Sequence, residues 1–252
     1  MTNRVLVVTG GGRGIGAATA RLAARRGYAV VVNYAGNVAA AEAVCHDIHT
    51  AGGTAVAVRG DVAEPADVEH IFAAADRLGP LAALVNNAGI INVAARVEAM
   101  DAQSINRLLV VNVTGAILCA KAAIRRMSTR HGGQGGGIVN LSSGASKLGA
   151  PGKYVDYAAS KGAIDTLTVG LALELAGEGI RVNGVRPGVI ETDFHAAGGE
   201  PDRAAQMAPD LPIPRVGTPE EVANAILWLL SDDAAYTTGT TIDVTGGRGI
   251  TP

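Results

Sequence analysis

The sequence predicts an α/β fold of the doubly wound kind, a single domain with helices on both faces of a parallel sheet. Three observations carry that prediction. Short β-branched runs alternate with longer alanine-rich stretches along the whole chain, the pattern of parallel strands joined by helical crossovers. Hydrophobic residues make up 48% of the 252 positions but aromatics only 3%, so the core must be built of Ala, Val, Leu and Ile. That composition suits small-residue helices lying on a buried sheet. A glycine cluster follows the first apolar run directly, where such folds turn from strand to helix.

The elements follow in order. Residues 4–10 (RVLVVTG) read as the first strand, and the pattern from Ile15 to Arg26 as the first helix. Residues 29–34 (AVVVNY) and 54–62 (TAVAVRGDV) read as strands followed by helices near 38–51 and 65–78. Residues 81–89 (LAALVNNAG) lead to a long helical stretch over 101–130, and 137–143 (GIVNLSS) to a helix over 155–178. Residues 180–188 (IRVNGVRPG) and 240–247 (TTIDVTGG) complete the strands. Between them Thr218, Pro219 and Glu220 open a helix near 219–231 as cap, first-turn proline and acid. The glycine run 131–137 (HGGQGGG) reads as a flexible connection. The segment 191–216 mixes glycines and prolines with Phe194, Met207, Leu211 and Ile213, the character of a mobile substrate lid.

Composition also excludes. A net charge of −2 gives no electrostatic reason to expect nucleic acid or an anionic membrane as partner. Cys45 and Cys119 have no metal-ligand spacing, and His46, His49, His70, His131 and His195 lie on unrelated segments, so no metal is expected. Free thiols of this kind fit a reducing cytoplasm. The chain enters its first strand at once, which leaves no room for a signal sequence, and no uninterrupted apolar run approaches the ~18 residues of a membrane span.

The glycine cluster 8–16 (VTGGGRGIG) has the properties of a phosphate-binding turn. Gly10, Gly14 and Gly16 leave room for a pyrophosphate to approach the backbone, and the helix N-terminus beyond them, at Ile15, offers unpaired N–H groups to an anion. The second strand bears on which dinucleotide is bound. NAD sites usually place Asp or Glu at its end for the ribose 2′-hydroxyl, and here the end reads Val32-Asn33-Tyr34-Ala35. With no carboxylate to repel a 2′-phosphate, and with Arg13 in the turn to attract one, NADP(H) is favoured and NAD(H) stays open. Asn37 is a weaker second contact.

Residues 154–161 (YVDYAASK) carry two tyrosines ahead of one lysine. On a helix Tyr157 and Lys161, four apart, share a face about 6 Å apart along the axis, whereas Tyr154 lies about 10 Å from the lysine. Spacing therefore prefers Tyr157. A lysine cation near a phenol is expected to lower its pKa by roughly 1–3 units, making it a usable proton carrier for a carbonyl or an alcohol. Tyrosine–lysine pairs at this spacing are also ordinary surface partners. The neighbouring strand end at Ser142 and Ser143 places hydroxyls where ligands of such sheets bind.

Taken together, these stretches closely resemble the short-chain dehydrogenase/reductase family over nearly the whole chain. The matching pieces are TGGGRGIG, GDV at 60–62, NNAG at 86–89, VNVTG around Asn112, the serine pair followed by YAASK, and RPGVIET at 186–192. The resemblance implies one Rossmann-type domain with a seven-stranded parallel sheet, and a catalytic tetrad of Asn112, Ser143, Tyr157 and Lys161. It implies dinucleotide contacts from Asn33, Asp61, Val62, Asn87, Ala88 and Gly89, and from Pro187, Gly188, Ile190 and Thr192 beside the nicotinamide. The family's serine commonly stands where this chain has Gly144, so the loop 144–156 carries one extra residue and Ser143 is preferred to Ser142. A homotetramer built on the two long helices is also implied.

The expected activity is therefore NADP(H)-dependent reduction of a ketone or aldehyde, or oxidation of the matching alcohol. An NAD-dependent alcohol or sugar dehydrogenase, of the glucose type, is the alternative enzyme. A catalytically silent nucleotide-binding regulator is the alternative of a different class, and the intact tetrad argues against it.

Overall fold

Seven strands form one fully parallel sheet in the order β3-β2-β1-β4-β5-β6-β7. They are β1 (Arg4–Val8), β2 (Tyr28–Tyr34), β3 (Thr54–Arg59), β4 (Leu81–Asn86), β5 (Gly136–Leu141), β6 (Ile180–Pro187) and β7 (Thr241–Val244). The structure, a computed structural model, describes residues 4–249 without the side chain of His195. The first three residues, on which the expectation about a leader partly rests, and the His195 side chain lie outside that description.

Valine-rich strands with period-two alternation feed two separate cores. Leu6, Val8, Val30 and Val32 face one way and pack with Ile48 and Ile226, under helices α1 (Gly14–Arg25), α2 (Val38–Thr50) and α6 (Pro219–Leu230). Val5, Val7 and Val31 face the other way and pack with Phe72, Leu84 and Leu175. That face is covered by α3 (Pro65–Leu78), the long helix α4 (Ala102–Met127) and α5 (Val155–Leu175). The capping signal read at Thr218 is present as a reciprocal cap: the Thr218 hydroxyl accepts from Glu221 N–H while the Glu221 carboxylate accepts from Thr218 N–H.

Helix α4 contains a π turn at Val110–Thr114, so Asn112 projects from a widened segment. The helix stops at Met127, short of the expected 130, because Ser128 is extended and its hydroxyl accepts from Arg130 N–H to start a separate turn. By length and composition α4 could cross a membrane, with a mean hydropathy of 1.6 in its most apolar window. Half of that window is buried inside the protein.

The glycine run is a packed crossing rather than the flexible connection expected. A Cβ on Gly136 would lie 2.4 Å from Ala82 O, and one on Gly135, at φ +77°, would lie 2.4 Å from Gly179 O. Only bare backbone fits between β4 and the start of β6.

The chain runs outward from β1 to β3 and then returns to place β4 on the other side of β1. A crevice opens outside the carboxyl ends of β1 and β4 at this reversal of strand order, where open α/β sheets bind ligands.

Candidate active site

A cavity of about 580 Å³ occupies that crevice. Its floor is the glycine turn between β1 and α1. Gly10 and Gly14 adopt φ of +61° and +51°, values a side chain resists, and a Cβ on Gly16 would lie 2.4 Å from Gly10 O. The first N–H groups of α1 have no i−4 carbonyl, and Arg13 before them is extended and gives no side-chain cap. The turn thus has the room and the donors that a pyrophosphate requires.

Three polar side chains hold the turn in place. The Thr9 hydroxyl accepts from Asn87 N–H and Ala88 N–H, both at 3.0 Å, and Asn87 donates back to Thr9 O and Gly10 O at 2.9 Å. Asn33 accepts from Gly10 N–H at 3.2 Å and donates to Gly60 O at 2.9 Å. Asn33 and Asn87, expected as cofactor contacts, border the cavity but spend these side-chain bonds on the protein itself. Asp61 likewise bonds Arg107 and accepts from Ala63 N–H; burial alone would raise its pKa, but those partners outweigh it and lower it. Val62 is buried against Gly115, whose Cβ would come within 2.7 Å of it.

Lys161 is buried, and its ammonium donates to Leu141 O at 2.6 Å at the end of β5. It stands 5.7 Å from the Tyr157 ring centroid. Burial lowers its pKa to about 8, against the opposing charge of Asp165 one turn further on. Gly89 clears the space above it: a Cβ there would sit 3.6 Å from the Lys161 Nζ and 3.3 Å from the Asn112 Oδ1. The Asn112 side chain accepts from Ile90 N–H at 2.8 Å and donates to Ile90 O at 3.0 Å and to the Ser160 hydroxyl at 3.1 Å. Ser160 in turn donates to Tyr157 O, so Asn112 braces the turn of α5 between tyrosine and lysine.

The serine pair divides cleanly. Ser142 is buried and donates to Lys161 O, whereas the Ser143 hydroxyl accepts from Ala145 N–H and lies close enough to the Tyr157 phenol to act on its pKa. One expectation is corrected. The phenol was expected to be lowered by Lys161, but burial pushes it up to about 12, with only the Ser143 hydroxyl opposing. The two tyrosines divide as well. Tyr154 caps the start of α5 and turns away from Lys161, its hydroxyl donating to Glu200 at 2.7 Å and Gly198 O at 3.1 Å.

Pro187 ends β6 and Gly188 follows it along the cavity wall, where Gly188 lies so close to Thr245 that a Cβ would come within 2.7 Å of its Cα. Ile190 pairs with Gly217 as an isolated parallel bridge that pins both ends of the segment 191–216. The bonds of that bridge use Val189 O and Glu191 N, leaving Ile190's own N–H and C=O outside the pairing. Thr192 lies against Gly14, and Phe194 packs tilted against Tyr157, with 5.6 Å between ring centroids and 53° between the ring planes. Ile15, Ala88 and Arg13, the last exposed, complete the expected contacts on the cavity lining. Among the described residues no group of three His, Cys, Asp or Glu could hold a metal.

A family profile described as enoyl-(acyl carrier protein) reductase matches residues 10–248. The chain is 55% identical over 97% of its length, and 99% of the relative's, to the uncharacterized oxidoreductase YgfF of Escherichia coli K12. It is 40% identical, over 98% of its length and 97% of the relative's, to a 3-oxoacyl-[acyl-carrier-protein] reductase of Synechocystis. A short-chain type dehydrogenase/reductase from Mycobacterium marinum superposes with a TM-score of 0.91 at 34% identity, covering 100% of this chain and 97% of that one. The chain belongs to the short-chain dehydrogenase/reductase family. It is an NAD(P)-dependent oxidoreductase with a Rossmann-like fold.

Several residues in or around the cavity carried no expectation from the sequence. Thr9 was visible in the TG motif without an assigned task. Ser160, Glu200 and Arg203 gave no local signal, because their partners are brought to them by the fold. Arg248 carried a positional clue, standing just past the carboxyl end of β7.

Gly16→Ala tests the glycine cradle. Its Cβ would meet Gly10 O at 2.4 Å and Asn87 Nδ2 at 2.6 Å. Overpacking of this kind costs about 1–3 kcal/mol. The variant is expected to melt lower and to bind dinucleotide at least about tenfold more weakly by calorimetry.

Proposed function

We propose that the enzyme is an NADP(H)-dependent reductase of a small ketone or aldehyde, running in reverse as an alcohol dehydrogenase, with Tyr157 as general acid and base. The supporting observation is the meeting of Tyr157, Ser143 and Lys161 at the carboxyl end of β5, on the cavity whose floor is the glycine cradle.

The bound nicotinamide supplies the hydride to the carbonyl carbon, or takes it from the alcohol carbon. The protein's part is to place and protonate the oxygen. Ser143 hydrogen-bonds the carbonyl oxygen, and Tyr157 releases its phenol proton to that oxygen as negative charge builds there. Lys161, as an ammonium, stabilises the phenolate left behind and holds the cofactor ribose. Asn112 keeps Ser160 and the intervening helix turn fixed and supports the proton path. A phenol held near 12 is protonated at neutral pH, which suits the reductive direction.

NADP(H) is favoured because the strand end Tyr34-Ala35-Gly36-Asn37 carries no acid and Arg13 is exposed on the same cavity. The Asn37 side-chain oxygen already accepts from Ala40 N–H, which leaves its amide N–H groups to donate. Gly10, Gly14, Ile15, Gly16, Ala88, Gly89, Pro187, Gly188, Ile190 and Thr192 form the remainder of this binding surface. The chain acts as a single catalytic unit with 191–216 as its lid. It works in the cytoplasm, where buried Cys45 and Cys119 stay reduced. It associates as a homotetramer through α4 and α5, on which Ile117, Val169 and Leu173 are exposed.

Tyr157→Phe should lower kcat for carbonyl reduction by about 10²–10⁴-fold while leaving the dinucleotide Kd unchanged; retained turnover would refute the proton-transfer role. The kcat/KM for reduction should hold steady at neutral pH and fall above pH ~8, because Lys161 loses its charge there while the phenol, near 12, keeps its proton. In Lys161→Arg that alkaline limb should move upward, since a guanidinium stays charged. Arg13→Ala should raise KM for NADPH by about tenfold or more and leave NADH unaffected; equal effects on both would favour NAD(H). Leu173→Glu should sediment as a smaller species than the parent protein.

A further inference from the structure

We propose that the substrate carries an oxyanion, a carboxylate or a phosphate, away from its reacting carbon, and that Arg203 and Arg248 bind it. The proposal deepens the reductase reading and rests on that cavity being the substrate site.

Both arginines line the cavity that holds Ser143 and Tyr157, and both also border an adjoining recess with Leu148, Ala150, Pro151 and Lys153. None of the recess residues belongs to the glycine turn, so this charge is separate from the one expected to meet the dinucleotide phosphates. Lys153, Arg203 and Arg248 bring three positive charges here, and Glu200 is the carboxylate that answers them. Glu200 is already engaged: it accepts from Arg203 at 2.7 Å, from the Tyr154 hydroxyl at 2.7 Å and from Lys153. The pKa of Glu200 is held down to about 2; burial would raise it, but these partners prevail.

Arg248 is half-buried and forms no ion pair with a carboxylate among the described residues; burial and the charge of Arg203 both lower its pKa. Two guanidiniums that repel one another in a partly desolvated cavity are stabilised by an anion bound to both. Their planar forks match the two oxygens of a carboxylate or a phosphate.

The arginines are also held for this task. Arg203 lies over the Tyr154 ring at 5.4 Å, with Glu200 bonding both residues. The segment bearing Arg248 is fastened to the lid, Gly246 O accepting from Ile213 N–H at 3.0 Å and Gly247 lying bare against Pro212. Lid and C-terminal segment therefore present their cations together.

Calorimetric titration of the NADP⁺-saturated protein with cyclohexanecarboxylate, cyclohexyl phosphate and the neutral cyclohexanecarboxamide tests the assignment. At least one oxyanion is expected to bind about tenfold or more tightly than the amide. The tighter of the two identifies the source. Arg248→Gln should abolish the preference, with its thermal melt checking the fold, and Arg248→Lys should retain part of it. Amide binding equal to both oxyanions, no oxyanion binding up to millimolar concentration, or a preference that survives Arg248→Gln would each overturn the proposal. Tyr157→Phe separates the two readings: it should keep the oxyanion preference even though turnover is lost.

Discussion

The site is organised around one buried ammonium. Lys161 is only 4% exposed, and a charge so enclosed is unfavourable unless acceptors are fixed close to it. The end of β5 supplies Leu141 O, the hydroxyl of the next residue, Ser142, bonds Lys161 O, and Asp165 lies one helical turn away, one carboxylate oxygen bonded to Arg186 and the other buried without a hydrogen-bond partner among the described residues. Gly89 packs close beneath this pair, where a Cβ would lie 3.3 Å from the Asn112 Oδ1 and 3.6 Å from the ammonium. The strand end, the serine pair, the NNAG segment and the π turn of α4 thus all answer to the same charge.

That burial also sets the chemistry of the tyrosine. From spacing alone, a lysine four residues on is expected to pull the phenol pKa down. The structure reverses the sign because the enclosure that lowers Lys161 raises Tyr157: neither charged form is well solvated. With the lysine directed at Leu141 O and 5.7 Å from the ring centroid, its attraction does not make up the loss. The protein thereby keeps a neutral phenol next to a cation, the arrangement suited to giving up a proton as an oxygen becomes negative.

Much of this was legible in the sequence, and the limits have physical causes. Alternating valine runs and alanine-rich stretches report burial directly, so β1 to β7 and the six long helices fall close to their expected bounds. The choice of Tyr157 over Tyr154 followed from helix geometry, since both partners lie on one element. Prolines and glycines mark the segment 191–216 in the sequence, and the Ile190–Gly217 bridge brings its two ends together. What escaped reading depends on contacts between distant segments: Tyr154 with Glu200, Arg203 beside Arg248, and the glycine run wedged between Ala82 and Gly179. The π turn at Asn112 has no composition of its own to announce it.

The loop 144–156 joins these observations. The loop makes a helical turn at Ala145–Leu148 and then reverses through Gly149, Ala150 and Gly152, all at positive φ. Ala150, at φ +45°, is the one residue with a side chain held there among those described, at a cost of about 1–2 kcal/mol. Its carbonyl accepts from Tyr154 N–H, which fixes where α5 begins and sends the Tyr154 ring toward Glu200 instead of Lys161. The same reversal sets Leu148 and Ala150 on the wall shared by the reacting groups and the two arginines. The segment 191–216, the strained loop and α5 therefore meet at Tyr154. Phe194 against the Tyr157 ring adds a second contact, so the segment 191–216 touches the phenol through Phe194 and the Tyr154 ring through Arg203.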